Sequence, residues 1–203
     1  MNINNVNFNE LTYLKFGNQK QQEVYKIMTE LQLMEKLREF DPILVGTIPL
    51  AIDLPESDLD VICYVSDLRY FREVIKERLG DTHKLHFSYS SNDDLESLVV
   101  QFTYKEWPFE LFAQPISTKL QNGYRHMVVE HRILSILGDE ARHSIIKLKR
   151  SGIKTEPAFA KMLGLDGDPY EQLLVLSEWS DDRLREFVVN KDYIVVNKEE
   201  SPQ

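Results

Sequence analysis

The sequence predicts an α/β (α+β) module followed by an all-helical one, and three observations carry that reading. Up to Pro115, short β-branched and aromatic runs alternate with amphipathic stretches. Beyond Gly123 the apolar period is helical throughout. Gly and Pro, at eight each in 203 residues, are too few for a linker-rich chain. In order, Lys20 to Phe40 places Val24, Ile27, Met28, Leu31, Met34 and Leu37 at helical spacing, the signature of an outer helix over a core. Pro42 ends it, and Ile43-Leu44-Val45 is a short buried strand closed by Gly46. Asp58 to Val65 reads as a second strand. Ser66-Asp67 then caps a helix running toward Gly80, with Leu68, Phe71, Val74, Ile75 and Leu79 as its buried stripe.

From His83 to Ser90 apolar Leu85, Phe87 and Tyr89 alternate with polar residues; the break Ser91-Asn92-Asp93-Asp94 and the run Leu98 to Tyr104 complete a hairpin. Phe109 to Ala113 adds a third strand, stopped by Pro115. In the second half, Met127, Val128, His131, Ile133, Leu134, Leu137, Ile145, Ile146 and Leu148 predict two helices or one broken near Gly138. Thr155-Glu156-Pro157 opens another with a cap and an early proline, Asp168-Pro169-Tyr170-Glu171 a further one, and Ser180-Asp181-Asp182 the last. The expected division is 15–118 for the α/β domain, 119–195 for the helical domain and 196–203 for a frayed tail.

Composition narrows the function. With 24 Lys+Arg against 33 Asp+Glu, the net charge of −9 repels phosphate backbones, so generic DNA binding is not expected. The single cysteine, Cys63, excludes an intrachain disulfide and a multi-thiolate zinc site; it sits in an apolar strand as a small buried hydrophobe. His126 and His131 do not share a helix face, which argues against zinc on histidines. The chain opens without a basic and apolar leader, and no run is long enough to span a bilayer, so a cytoplasmic protein with no membrane partner is expected.

The stretch from Gly46 to Val61 carries chemistry. On a strand, Asp58 and Asp60 occupy alternate positions and share a face, where their mutual repulsion is relieved by a hard divalent cation. Gly46-Thr47 offers a turn with free amides and a hydroxyl for a phosphate. A lone Asp-x-Asp is most often a solvated turn; joined to Gly46-Thr47 and preceded by Ser57, it reads as a metal site beside a phosphate site.

This segment resembles the nucleotidyltransferase superfamily of polymerase-β type. Its members carry Gly followed by Ser or Gly, a spacer, and Asp-x-Asp on a strand, often as Pro-Asp-Ser-Asp-x-Asp before a hydrophobic residue. Here the spacer from Ile48 to Ser57 falls within the family's range, and the second half reads Pro55-Glu56-Ser57-Asp58-Leu59-Asp60-Val61. Around Ser57 to Cys63, Lys154 to Ala160 and Asp168 to Tyr170, the chain is similar to a bacterial group within that superfamily known only as a domain of unknown function. The resemblance implies a mixed sheet with flanking helices followed by a C-terminal all-helical domain. It implies transfer of a nucleoside monophosphate from a nucleoside triphosphate to a small molecule, an RNA or a protein. Asp58 and Asp60 would hold Mg²⁺ or Mn²⁺, Glu110 within Phe109-Glu110-Leu111 would be the third catalytic carboxylate and metal ligand, and Gly46, Thr47 and Ser57 would bind phosphate.

Three departures stand out. Ile48 and Leu50 occupy positions where small-molecule relatives often carry arginines, and Ala51 stands where Gly is common. Phosphate-binding cations are therefore expected from the helical half, among Arg125, Lys147, Lys149 and Arg150, although a basic run is also an ordinary solvated helix end. The missing arginines support an alternative, a non-catalytic nucleotide-binding or regulatory module on the same fold.

Overall fold

Asn18 starts the first long helix by a reciprocal cap. Its side chain accepts from the Gln21 amide at 2.9 Å, and the Gln21 side chain accepts from the Asn18 N–H at 3.0 Å. In the computed structural model, which describes residues 6–80, 84–92 and 95–190, this helix α1 (Gln19–Leu31) ends at Gln32, left-handed with φ 55°. A short helix α2 (Leu33–Lys36) and a 3₁₀ turn (Arg38–Phe40) follow. The single helix expected from Lys20 to Phe40 is thus broken. Leu31, Leu33 and Leu37 all stay buried across the break, so the apolar pattern survives it, and Gln32 is an ordinary helix former that gives no warning. A 3₁₀ helix at Leu11–Phe16, which the sequence reading lacked, precedes α1.

The strands β1 (Ile43–Val45), β2 (Leu59–Tyr64), β3 (His86–Asn92), β4 (Leu95–Tyr104) and β5 (Trp107–Gln114) form one sheet in the order β1-β2-β5-β4-β3. Among the described residues only β2 and β5 run parallel, so this is a mixed sheet. The long crossover between them holds α3 (Leu68–Leu79), capped as expected by the Asp67 side chain, and the β3-β4 hairpin. That hairpin is tighter than its polar break suggests, since Asn92 already pairs with Leu95. The expected start at His83 and the acidic pair Asp93-Asp94 lie outside the described residues.

Side chains alternate across the sheet, and the two faces differ. Leu59, Val61 and Cys63 of β2, Leu98, Val100 and Phe102 of β4, and Phe109, Leu111 and Ala113 of β5 join Val24 and Met28 of α1 and Phe71 and Ile75 of α3 in the main core. At roughly 1.5 to 3 kcal/mol for each large apolar side chain buried, this face stabilises the sheet and fixes its register. Cys63 is buried in it, which pushes its thiol pKa up. The intervening positions, Asp60 and Glu110 among them, therefore point to the opposite face.

The chain divides into two compact units. The sheet unit comprises 6–49 and 56–124. The helical unit comprises the loop Leu50–Pro55 and the chain from Arg125. Its helices are α4 (Asn122–Leu137, whose first turn belongs to the sheet unit), α5 (Asp139–Arg150), α6 (Thr155–Leu163), α7 (Pro169–Ser177) and α8 (Asp181–Asn190). Gly138, at φ 75°, makes the expected break between α4 and α5. Asp168 caps α7 by accepting from the Tyr170 and Glu171 amides, with Pro169 in the first position. At α6 the cap is displaced: Lys154 takes that place without a side-chain bond, and Thr155 is already helical. Ile133, Leu148, Phe159, Met162, Leu173 and Leu184 are among the buried residues of this unit, together with Leu50 and Ile52 of the loop. Among the described residues no helix is long and apolar enough to cross a membrane. The opening residues Met1–Asn5 and the tail expected at 196–203 lie outside the described residues.

Candidate functional site

Register gathers the acids of the sheet unit. Asp60 on β2 stands opposite Val45 on β1 and opposite Glu110 on β5, and Glu110 stands opposite Gln101 on β4. Directly opposed residues share a face, so Asp60, Glu110 and Gln101 form a row on the side away from the main core. Gln101 Nε2 donates to Glu110 Oε2 at 2.9 Å, fixing one oxygen of that carboxylate. Asp58 lies just before β2 and is exposed, whereas Asp60 and Glu110 are half-buried. The Asp60 carboxyl is pushed up to about 7 by burial, reinforced by the negative charges of Asp58 and Glu110. Electrostatics thus brings the charges of Asp58 and Glu110 to bear on Asp60.

Gly46 follows β1 and turns with φ +85°, a conformation that side-chain-bearing residues rarely adopt. A Cβ added there would lie 2.5 Å from Asp60 Oδ2. The missing side chain is therefore what lets the Asp60 carboxylate lie against the turn. Beside it Thr47 Oγ1 donates to Ser57 Oγ at 3.4 Å, so the two predicted phosphate-binding hydroxyls face each other across the spacer. The turn's outgoing backbone is held by Gln21, whose Nε2 donates to the Ile48 carbonyl at 2.9 Å and the Pro49 carbonyl at 3.2 Å.

Among the described residues no three His, Cys, Asp or Glu side chains gather tightly enough to hold a metal ion as they stand. The chemistry of the donors nevertheless fits a hard divalent cation: they are carboxylate oxygens, and that of Asp60 is destabilised as an anion first by burial and then by its acidic neighbours. An added cation relieves that destabilisation.

The sequence matches, over residues 26–176, the family described as a domain of unknown function, DUF4269. The chain belongs to this family. No curated protein matches it. Among solved structures it is similar to a mutant of the Cid1 poly(U) polymerase bound to MgATP, with TM-score 0.50 and 10% identity over 80% of this chain and 54% of that one. A Cid1 structure with Mg 3′-dATP bound gives TM-score 0.50 and 10% identity over 80% of this chain and 53% of that one. The GLD-2/RNP-8 complex is similar at TM-score 0.49 and 11% identity. The chain spans about half the length of the Cid1 structures it matches. The fold of this DUF4269 protein is nucleotidyltransferase-like, as the sequence resemblance implies.

Two of the four cations predicted in the helical unit, Arg125 and Lys149, have partners of their own there. Arg125 of the DUF4269 chain donates to Ser177 Oγ at 3.2 Å and pairs with Glu178 at 2.5 Å. Lys149 Nζ donates to the Ile52 carbonyl at 2.8 Å. Lys147 and Arg150, in the last turn of α5, are exposed. His126, one of the two histidines weighed for zinc, is buried, with Nδ1 3.6 Å from Glu156 and Nε2 3.1 Å from the Tyr170 carbonyl.

Three residues escaped the sequence reading. Gln101 was reachable from the hairpin register, because it opposes Glu110. Glu130 lies four residues after His126 on the same helical face and is 4% exposed, which only the i,i+4 spacing hints at. Gln21 had no signal, since a glutamine in an amphipathic helix reads as solvated.

Proposed function

We propose that the chain transfers a nucleoside monophosphate from a nucleoside triphosphate to an acceptor, with Asp58, Asp60 and Glu110 holding Mg²⁺ or Mn²⁺ and Gly46, Thr47 and Ser57 receiving the phosphates. One observation carries the reading: Asp60 and Glu110 lie in adjacent register beside a turn whose glycine makes room for the Asp60 carboxylate. The magnesium nucleotides bound by the Cid1 structures support the choice of ligand to test first. When bound, the divalent ion supplies charge neutralisation to the entering and leaving oxygens of an in-line displacement. The chain's own residues do the rest. Asp58, exposed, reaches outward; Asp60 is fixed against the turn; Glu110, with Oε2 engaged by Gln101, keeps Oε1 for the proton of the acceptor hydroxyl. The acceptor is a small molecule, an RNA or a protein.

The test is incubation of purified protein with each labelled nucleoside triphosphate, Mg²⁺ or Mn²⁺ and a cell extract. Pyrophosphate release and label transfer in the parent, both lost in Asp60→Asn, are the expected result. No label transfer together with no magnesium-dependent nucleotide binding overturns it.

A second reading, a non-catalytic nucleotide-binding or regulatory module, is favoured by the turn itself. Ile48 and Leu50 are buried where a cation would be useful, and Gln21 occupies the Ile48 and Pro49 carbonyls. Magnesium-dependent nucleotide binding without pyrophosphate release selects this reading.

A further inference from the structure

The parallel strands β2 and β5 end side by side: the Val65 amide donates to the Gln114 carbonyl at 2.9 Å, and Pro115 follows the last residue of β5. The carboxyl ends of parallel strands are where open α/β sheets take ligands. At this end, within the sheet unit, lies a cavity of about 510 Å³, in the size range of small-molecule sites. Ser66, Asp67, Arg69, Tyr89, Glu96 and Pro115 are among the residues that line it. It stands apart from the carboxylate row. Val65 is five residues beyond Asp60, roughly 16 Å along an extended chain. Tyr89 stands opposite Leu98 of the main core, so it lies on the sheet face that Asp60 and Glu110 do not occupy.

The lining groups define what fits. Tyr89, on the edge strand β3, is 50% exposed. The Arg72 guanidinium lies over the Phe87 ring at 4.9 Å and over the Tyr89 ring at 5.9 Å, so Tyr89 is steadied from one side while half of it stays open for a flat group to stack on. Ser91 opposes Glu96 and Tyr89 opposes Leu98, which makes Glu96 the diagonal neighbour of Tyr89 on the same face, about 7 to 8 Å away and within reach of a long side chain. A carboxylate only accepts, so Glu96 selects ligand N–H groups; a guanidinium only donates, so Arg69 selects an oxygen. Among the described residues neither of these two side chains has a hydrogen-bond or ion-pair partner, whereas Asp67 is occupied as the cap of α3. Two acids, Asp67 and Glu96, face the cavity against one cation, Arg69, so a phosphate is not what the lining favours. A flat uncharged ring with adjacent N–H donors beside a carbonyl meets every one of these conditions. That is the pairing edge of guanine. We propose that the cavity is a ligand site, separate from the carboxylates, for a guanine-type base: the ring stacks on Tyr89, Glu96 accepts from the ring N–H and the amino group beside it, and Arg69 donates to the ring carbonyl. Adenine presents a ring lone pair next to its amino group and has no carbonyl, so it would set that lone pair against Glu96 and leave Arg69 unmet. The site stands independently of the transfer reading above.

The experiment is calorimetric titration of the full chain, without Mg²⁺, with guanosine, adenosine and GMP, in the parent and in Tyr89→Ala, Glu96→Gln and Asp60→Asn. Guanosine is expected to bind the parent at least about 10-fold more tightly than adenosine, and GMP no more tightly than guanosine. Tyr89→Ala should weaken guanosine by roughly 10- to 100-fold, the range of a lost base–aromatic stack. Glu96→Gln should weaken it by about 10-fold and bring guanosine and adenosine closer together, because the amide no longer offers two acceptors to the N–H pair. Asp60→Asn should leave guanosine affinity at the parental value. If Tyr89→Ala does not fold, Glu96→Gln decides alone, since it alters an exposed group without changing its shape. No guanosine binding by the parent, or equal binding of guanosine and adenosine, overturns the proposal, as does an affinity indifferent to Glu96→Gln. Loss of guanosine binding in Asp60→Asn assigns the ligand to the carboxylate row and overturns it too, and GMP binding 10-fold tighter than guanosine does so by making the phosphate the recognised group.

Discussion

Asp60 and Glu130 are both acids removed from water, and the difference between them separates a site from a scaffold. Asp60 lies in a row of polar side chains on one sheet face, and Asp58 and Glu110 add to the burial that raises its carboxyl to about 7. Glu130 lies inside the helical unit, where burial is the largest cause of its raised pKa, Glu156 adds to it and the Lys149 charge opposes it. One acid is perturbed first by burial and then by two acidic neighbours, and remains partly open to solvent. The other is sealed, and a cation already leans toward it. Like-charge crowding at an accessible position calls for an added cation, whereas a sealed acid is satisfied by staying protonated.

The comparison is broken most directly at Asp60. Asp60→Asn is expected to abolish Mg²⁺-dependent nucleotide binding, a loss of at least about 100-fold, while leaving the Tm of the metal-free protein equal or higher, because a repelled charge is removed. Calorimetric titration with and without Mg²⁺ checks it; an unchanged Mg²⁺ response in the variant would end the metal assignment.

Next in size is a pH effect. The Asp60 pKa is raised on folding, so the folded state holds a proton that the unfolded state releases, and stability is greatest below the ordinary carboxylate range. As pH rises from about 4 through 7 the metal-free protein should lose a few kcal/mol. Saturating Mg²⁺ should flatten that slope, since the ion holds the carboxylate ionised. Glu130 works in the same direction, so the Asp60 share is the part that Asp60→Asn removes. Denaturant unfolding across the pH range measures both, and a slope unaffected by that variant would sink the assignment.

Gly46→Ala sharpens the geometry. The new Cβ would lie 2.5 Å from Asp60 Oδ2 on a backbone at φ +85°, so a cost of about 1 to 3 kcal/mol in stability and a weakened Mg²⁺ response are expected. Full stability and full Mg²⁺ response in this variant would show that the carboxylate does not need the turn.

How much of this was legible follows from the range of each interaction. Asp60 was readable because strand alternation is a local rule, and Gly46 because a turn after a short apolar run is local too; Asp58 lies just before β2, where alternation does not reach. Glu110 came only through resemblance: its place beside Asp60 depends on β2 pairing in parallel with β5 across a crossover of more than forty residues, and no nearby residue encodes that. The left-handed Gln32 and the strained Ala51 were invisible, because neither residue type favours such a backbone and distant packing imposes it. Lys149 was readable as a cation but not as the donor to Ile52, since a charged residue in a basic run declares its charge and not its partner.

The smallest expected effect lies at Glu130. If this acid is protonated in the folded chain, an amide of the same shape replaces a neutral group with a neutral group. Glu130→Gln is therefore expected to shift stability at pH 7 by less than about 1 kcal/mol and to leave MgATP affinity unchanged. Glu130→Ala removes the side chain from a site 4% exposed and should cost about 1 to 3 kcal/mol through the space it leaves. The pair separates shape from charge. If Glu130→Gln costs as much as Glu130→Ala, the charge opposite Lys149 is what matters, Glu130 is ionised in the folded chain, and the contrast with Asp60 collapses. If glutamine is tolerated, the helical unit holds its buried acid neutral, and the acid whose charge a metal can use is the one in the sheet.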